Sequence, residues 1–128
     1  SRSEAVTAAE HPGMAGQEAC IQAWRLYGAL LFGAVKLIED IEDPLSAPVL
    51  VIDLKNVIYV DSSGADALMN LIETCRKKNT HLIICGLSHQ PLDICRRSGL
   101  LEHLEGHLQP DLATGLSRAV SWSPAQAR

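Results

Sequence analysis

"PVLVIDLKNVIYVDSSGADALMNLIETCRKKNTHLIICG", residues 48–86, decides the fold. Its opening, Pro48 to Leu54, is a near-continuous apolar run, the pattern of a strand buried on both faces. Asp61, Ser62, Ser63 and Gly64 then break the pattern. Behind them Leu68, Leu71, Ile72 and Cys75 stand at i, i+3, i+4 and i+7. That spacing predicts an amphipathic helix over 63–78, with Asn79 as its C-cap. Residues 81–86, "HLIICG", read as a second buried strand. Strand, helix and strand form a βαβ unit, whose crossover should be right-handed.

The same alternation extends outward. Residues 19–28, "ACIQAWRLYG", have strand composition and end at Gly28. Over 33–43 the residues Ala34, Ile38 and Ile41 share a helical face, and Pro44 stops the helix. In "SHQPLDICRRSG" Ser88 reads as an N-cap, Pro91 lies in the first turn and Gly99 falls just past the end. A weak strand is expected near 103–108, and Leu112, Leu116 and Val120 predict a helix over 110–120. The fold class is therefore α/β: a small mixed, largely parallel sheet of four or five strands, with about four helices mainly on one face. We expect residues 1–17 to be a disordered tag or linker, residues 18–120 the domain, and residues 121–128 a flexible tail from which Trp122 can dock on the body.

Composition narrows the function. The 128 residues fit one domain, 47% hydrophobic with only five aromatics, so the core is aliphatic. Net charge is −4, and the basic clusters Arg76-Lys77-Lys78 and Arg96-Arg97 fall at expected helix C-termini, where the helix dipole favours cations. No aromatic platform accompanies them, so nucleic acid is not an expected partner. Cys20, Cys75, Cys85 and Cys95 form no C-x-x-C pair and read as buried thiols of a reducing compartment. No run approaches the ~18 to 20 apolar residues that span a bilayer.

The turn "DSSG" admits two readings. As structure, Ser63 followed by Asp66 resembles a capping box, with an acid in the first turn facing the helix dipole. As function, a hydroxyl beside unpaired helix N-terminal N–H groups lies at an anion site. A phosphate on Ser62 would bring about −1.5 to −2 charges there, opposed by Asp61 and Asp66. Such a group would be a switch and not a catalytic centre.

The order "VIDL", "DSSG", "LIICGLS", "RRSGLL" resembles the STAS domain, over about residues 18–120. That family includes anti-sigma factor antagonists and the cytoplasmic C-terminal domains of SulP-type anion transporters. The resemblance implies a four- or five-stranded mixed sheet. In the antagonist branch the serine after the Asp, here Ser62, is phosphorylated by a partner kinase that is also the anti-sigma factor. Antagonists carry a "GELD"-like acidic turn after their long strand. This chain has "YGALLFGAVKLIEDI" instead, similar to the "GPLFFGNA" segment of SulP domains.

We therefore expect a non-catalytic regulatory domain of a SulP-type sulfate transporter, on the cytoplasmic side of the inner membrane. Its partners would be the transmembrane part of the parent or a second STAS copy. The alternative is a free-standing antagonist bound by a serine kinase and switched at Ser62. The Ser1 start and polar leader fit a domain cut from behind a membrane part. The site residues are Ser62 as candidate phosphoacceptor, with Asp61, Ser63, Gly64 and Asp66 around it. No cofactor is implied; nucleotide binding has been suggested for STAS domains generally, but the Walker and G-x-G-x-x-G loops are missing. His81, Cys85 and His89 are spaced by four but lack a fourth ligand for zinc. No G-x-S-x-G elbow points to a hydrolase. A small-ligand sensor would need a pocket near 28–33 and 61–65.

Overall fold

The computed structural model describes residues 2–31, 36, 38, 40, 41 and 47–122. Five strands, β1 (Arg2–Ala5), β2 (Ile21–Leu30), β3 (Val49–Val60), β4 (His81–Cys85) and β5 (Leu108–Gln109), lie across the sheet in chain order. Only β1 is antiparallel to its neighbour; β2 through β5 are parallel. The helices described over their full length are α1 (Ser62–Lys77), α2 (His89–Arg97), α3 (Leu100–Leu104) and α4 (Leu112–Trp122), with a 3₁₀ turn at Pro12–Met14.

Strand parity divides the apolar residues between two cores. Leu50, Ile52 and Leu54 of β3 and Leu82 and Ile84 of β4 meet Leu68, Leu71 and Cys75 of α1, Cys95 of α2, and Leu100 and Leu104 of α3. The alternate residues Val49, Val51, Ile83 and Cys85 meet Leu112, Leu116 and Ala119 of α4, together with Val6 and Met14. The continuous apolar runs of β3 and β4 thus serve both faces. Helix α4 approaches closely because Gly115 has no side chain; a Cβ there would overlap Cys85 Sγ.

Strand β3 is longer than the 48–54 run. It continues to Val60 through two bulges, where β2 advances from Arg25 to Tyr27 while β3 advances from Asp53 to Asn56, and again between Gly28 and Ala29. Each inserts an unpaired residue and rotates the pleat. Inward residues therefore recur as Leu54, Val57 and Val60, every third position. The buried Asp53 carboxylate accepts from the Lys55 N–H at 3.0 Å at the first bulge.

The expectation of a disordered leader at 1–17 is corrected for residues 2–17. Arg2 to Ala5 pair with Tyr27 to Trp24, Val6 and Met14 are buried, and the Val6 N–H donates to the Ala23 carbonyl. Arg25 pins this segment by ion-pairing with Glu4 and Glu10. The leader has no sequence period because it is held residue by residue and not as one amphipathic face. The strand expected near 103–108 is present but shorter and later: α3 runs through Leu104, residues 105–107 turn, and Leu108 and Gln109 pair with β4. Gly99, at φ 81°, makes the sharp turn into α3. Of the helix expected over 33–43, Lys36, Ile38, Asp40 and Ile41 are helical with both isoleucines buried, and the rest lies outside the described residues. Asn79, at φ 56°, closes α1 just past the Lys78 cap, with the Thr80 N–H donating to the Cys75 carbonyl at 2.8 Å. That is the Schellman arrangement with asparagine in place of glycine.

Candidate functional site

The DSSG turn sits where β3 hands over to α1, and three hydrogen bonds fix it. The Asp61 N–H donates to the Leu30 carbonyl at 3.1 Å. Asp61 Oδ1 accepts from the Gly64 N–H at 2.8 Å, and its carbonyl accepts from the Ala65 N–H at 2.9 Å. Asp61, in extended backbone, is therefore the N-cap. This corrects the assignment of the cap to Ser63. Counting from Asp61 puts glycine at the third helical position, so a Ser63–Asp66 capping box cannot form. Asp66 falls in the second turn, past the positive end of the helix.

Gly64 has a different role from the turn flexibility that its motif suggests. A Cβ there would overlap the Leu30 carbonyl oxygen and come within 3.0 Å of the Leu30 carbonyl carbon and Cβ. Helix α1 thus begins in backbone contact with the end of β2. Ser62, the first helical residue, is exposed; Ser63 is half-buried and Asp66 exposed. The structure places Asp61, Ser62, Ser63 and Gly64 in the entry turn, with Ser62 presented outward, and Asp66 one turn further along α1.

One partner was not foreseen. The Gln90 side chain accepts from the Val60 N–H and donates to the Val60 carbonyl, both at 2.8 Å. β4 pairs with β3 only as far as Asp53, so Gln90 stands where a neighbouring strand would. It is aimed by His89, whose φ of 54° places a non-glycine residue in the left-handed region. Nothing in "SHQP" announces this, because an amide that bonds one distant peptide leaves no periodic trace. Beyond the clamp, Ile58 is 74% exposed, Tyr59 48% and Leu31 43%. Strand register places these three apolar residues at the same end of the sheet as Ser62.

A groove of about 380 Å³ beside α1 is lined by Asp66, Met69, Ser98, Glu102 and His103 among others. Its acids, Asp66 and Glu102, are poorly suited to the phosphates of a nucleotide. Among the described residues no group of three His, Cys, Asp or Glu is placed to hold a metal. His81 stacks on Trp122 with ring centroids 4.6 Å apart. The thiol of Cys85, buried under α4, is pushed up to about 12 by that burial and secondarily by Asp53 and Asp111; burial alone pushes Cys95 up to about 11. The four cysteines form no disulfide. No helix among the described residues is long and apolar enough to cross a membrane.

Comparison with known proteins agrees with this geometry. A protein of Bacillus subtilis (strain 168) named for sulfate transport, YvdB, is 29% identical over 98 residues, which are 73% of this chain and 18% of that protein. The chain thus spans less than a fifth of that relative. The STAS domain of a SulP transporter from Vibrio cholerae superposes with a TM-score of 0.71 at 20% identity, covering 95% of this chain and 100% of that one. The anti-sigma factor antagonist SpoIIAA, in its unphosphorylated form, gives 0.63 at 16% identity over 81% of this chain and 88% of its own. The STAS domain family model matches residues 16–115, which include both parallel pairs around β3, the DSSG turn and Gln90, and the chain belongs to the STAS domain family.

Proposed function

We propose that this domain is a non-catalytic regulatory and interaction module of a longer SulP-type polypeptide that transports sulfate or a related anion. It would act on the cytoplasmic side of the inner membrane. The observation that carries the reading is the combination of a relative named for sulfate transport, in which the matched stretch is 18% of the length, with an apolar surface beside the DSSG turn. Leu31, Ile58 and Tyr59 are costly to leave in water: fully burying one such side chain is worth roughly 1.5–3 kcal/mol. The transmembrane remainder of the parent, or a second STAS copy, would cover them.

The test is uptake of labelled sulfate by cells expressing the complete gene product, with abundance in the membrane measured in parallel. Deleting residues 2–122, or replacing Ile58 and Tyr59 by Asp, should lower uptake at unchanged abundance. Full uptake by the deletion would remove the reading.

A second reading is supported by the exposure of Ser62 at the first position of α1. Here the domain is a free-standing antagonist, docked by a serine kinase and switched by phosphate on Ser62. Intact mass after incubation with cell extract and ATP distinguishes the two. One phosphate on the wild type and none on Ser62→Ala favours the antagonist. No added mass, while an antagonist with its own kinase labels under the same conditions, excludes it in that extract.

A further inference from the structure

The last turn of α4 meets the sheet through the buried Ala119 and, at the half-exposed Trp122, through an aromatic stack in which one ring is titratable. His81, at the start of β4, lies against Trp122 with centroids 4.6 Å apart and planes 24° from parallel. On another side the His107 ring is 6.3 Å away. His107 is oriented by its Nδ1, 2.8 Å from the Leu82 carbonyl, which makes Nδ1 the protonated nitrogen. From α4 itself Arg118 acts on His81. From the end of α1, Arg76 and Thr80 line the same small cleft of about 240 Å³, Arg76 being ion-paired with Glu73. The groups that act on His81 by charge are thus His107 and Arg118, both cationic when charged. Leu116, Ala119 and Trp122 lie beyond residue 115, where the match to the family model stops.

We propose that His81, His107 and Trp122 form a proton-sensitive latch, closed with neutral histidine and opened by acid, that frees the C-terminal turn of α4 from the sheet. The sign follows from the surroundings. Desolvation first, then His107 and Arg118, make the stacked His81 harder to protonate than a free imidazole, which titrates near about 6.5. The released state therefore binds more protons. The latch is fully present above about pH 6.5 and is lost as the pH falls through the lowered value. The indole face acts in the opposite sense, since it attracts a cation. A stack that tightens in acid would mean that this attraction prevails and would overturn the proposal.

Hydrogen exchange tests it on the intact chain. After correction for intrinsic rates, amides of Val120 to Trp122 should lose protection severalfold between pH about 7.5 and about 5, while amides of β3 and β4 keep theirs. His81→Phe, which retains a ring and removes the titration, should show no such loss. A second readout does not depend on that variant folding: in Trp24→Phe, Trp122 is the sole indole, and its emission should change with a midpoint below about 6.5. Unchanged exchange in α4, an equal loss in β4, or an equal loss in His81→Phe would each refute the latch.

Discussion

Replacing Gly64 by Ala tests the central geometric claim, that α1 starts in backbone contact with β2. In an ordinary helix interior the change is favourable by about 1 kcal/mol, because glycine is the more flexible residue. Here the added Cβ would lie within 3.0 Å of the Leu30 carbonyl carbon and overlap its oxygen. The neighbour is strand backbone, paired with Val60 of β3 and bonded to the Asp61 N–H, so it cannot swing away as a side-chain end would. Relief requires α1 to move off β2 by about 1 Å, and overpacking of this kind costs typically 1–3 kcal/mol. The movement also stretches the 3.1 Å bond from the Asp61 N–H to the Leu30 carbonyl, worth about 1 kcal/mol. Setting about 2–4 kcal/mol of cost against about 1 of gain leaves a net loss of about 1–3 kcal/mol. Urea unfolding followed by circular dichroism reads it directly, with Asn70→Ala on the exposed face of the same helix as the control. A Gly64→Ala protein as stable as wild type, or more stable, would refute the close approach.

Three further outcomes follow from the same turn and the core beneath it. Asp61→Ala should cost about 1 kcal/mol as a lost N-cap, whereas Ser63→Ala should stay within about 0.5 kcal/mol; the reverse order in urea unfolding would return the cap to Ser63. Gln90→Ala should leave both polar groups of Val60 without their partner and cost about 2 kcal/mol, with faster amide exchange at Val60 than in Val49–Asp53. Cys85 and Cys95, buried and raised to about 12 and about 11, should resist alkylation in the native protein at pH about 8, while the half-buried Cys20 reacts; prompt labelling of Cys85 would mean α4 does not cover it.

The parts of the fold legible in the sequence are those in which many residues repeat one demand. The stripe at Leu68, Leu71, Ile72 and Cys75 and the apolar runs of β3 and β4 each state their environment several times, and the structure agrees. The leader does not: Val6 and Met14 are single apolar residues set into a polar stretch, and the attachment rests on Arg25 with Glu4 and Glu10, pairs distant in sequence. The strand character of residues 57–60 is legible, but its continuity with 48–54 is masked by the bulges of β3, which turn a period of two into a period of three at Leu54, Val57 and Val60. At the site, motif and spacing located the turn but misassigned the cap by two residues. A serine and an aspartate are nearly equal as N-caps, and the choice is made by the Leu30 carbonyl, which no local pattern contains.

How a charge at Ser62 would be read follows from how the turn is held. Asp61 is bonded to Leu30, Gly64 lies against the same residue, and Gln90 clamps Val60, so both sides of Ser62 are tied to the sheet by contacts that leave its hydroxyl free of any tertiary role. A phosphate there would sit at the positive end of α1, which offsets much of the repulsion from Asp61. Neither effect pulls on β3 or α2. The domain would therefore keep its shape, and the change would appear only at the exposed end of the sheet where Ile58, Tyr59 and Leu31 also lie. Two negative charges beside an apolar contact oppose its desolvation, so a partner resting on that surface would be released while the domain beneath it stayed folded.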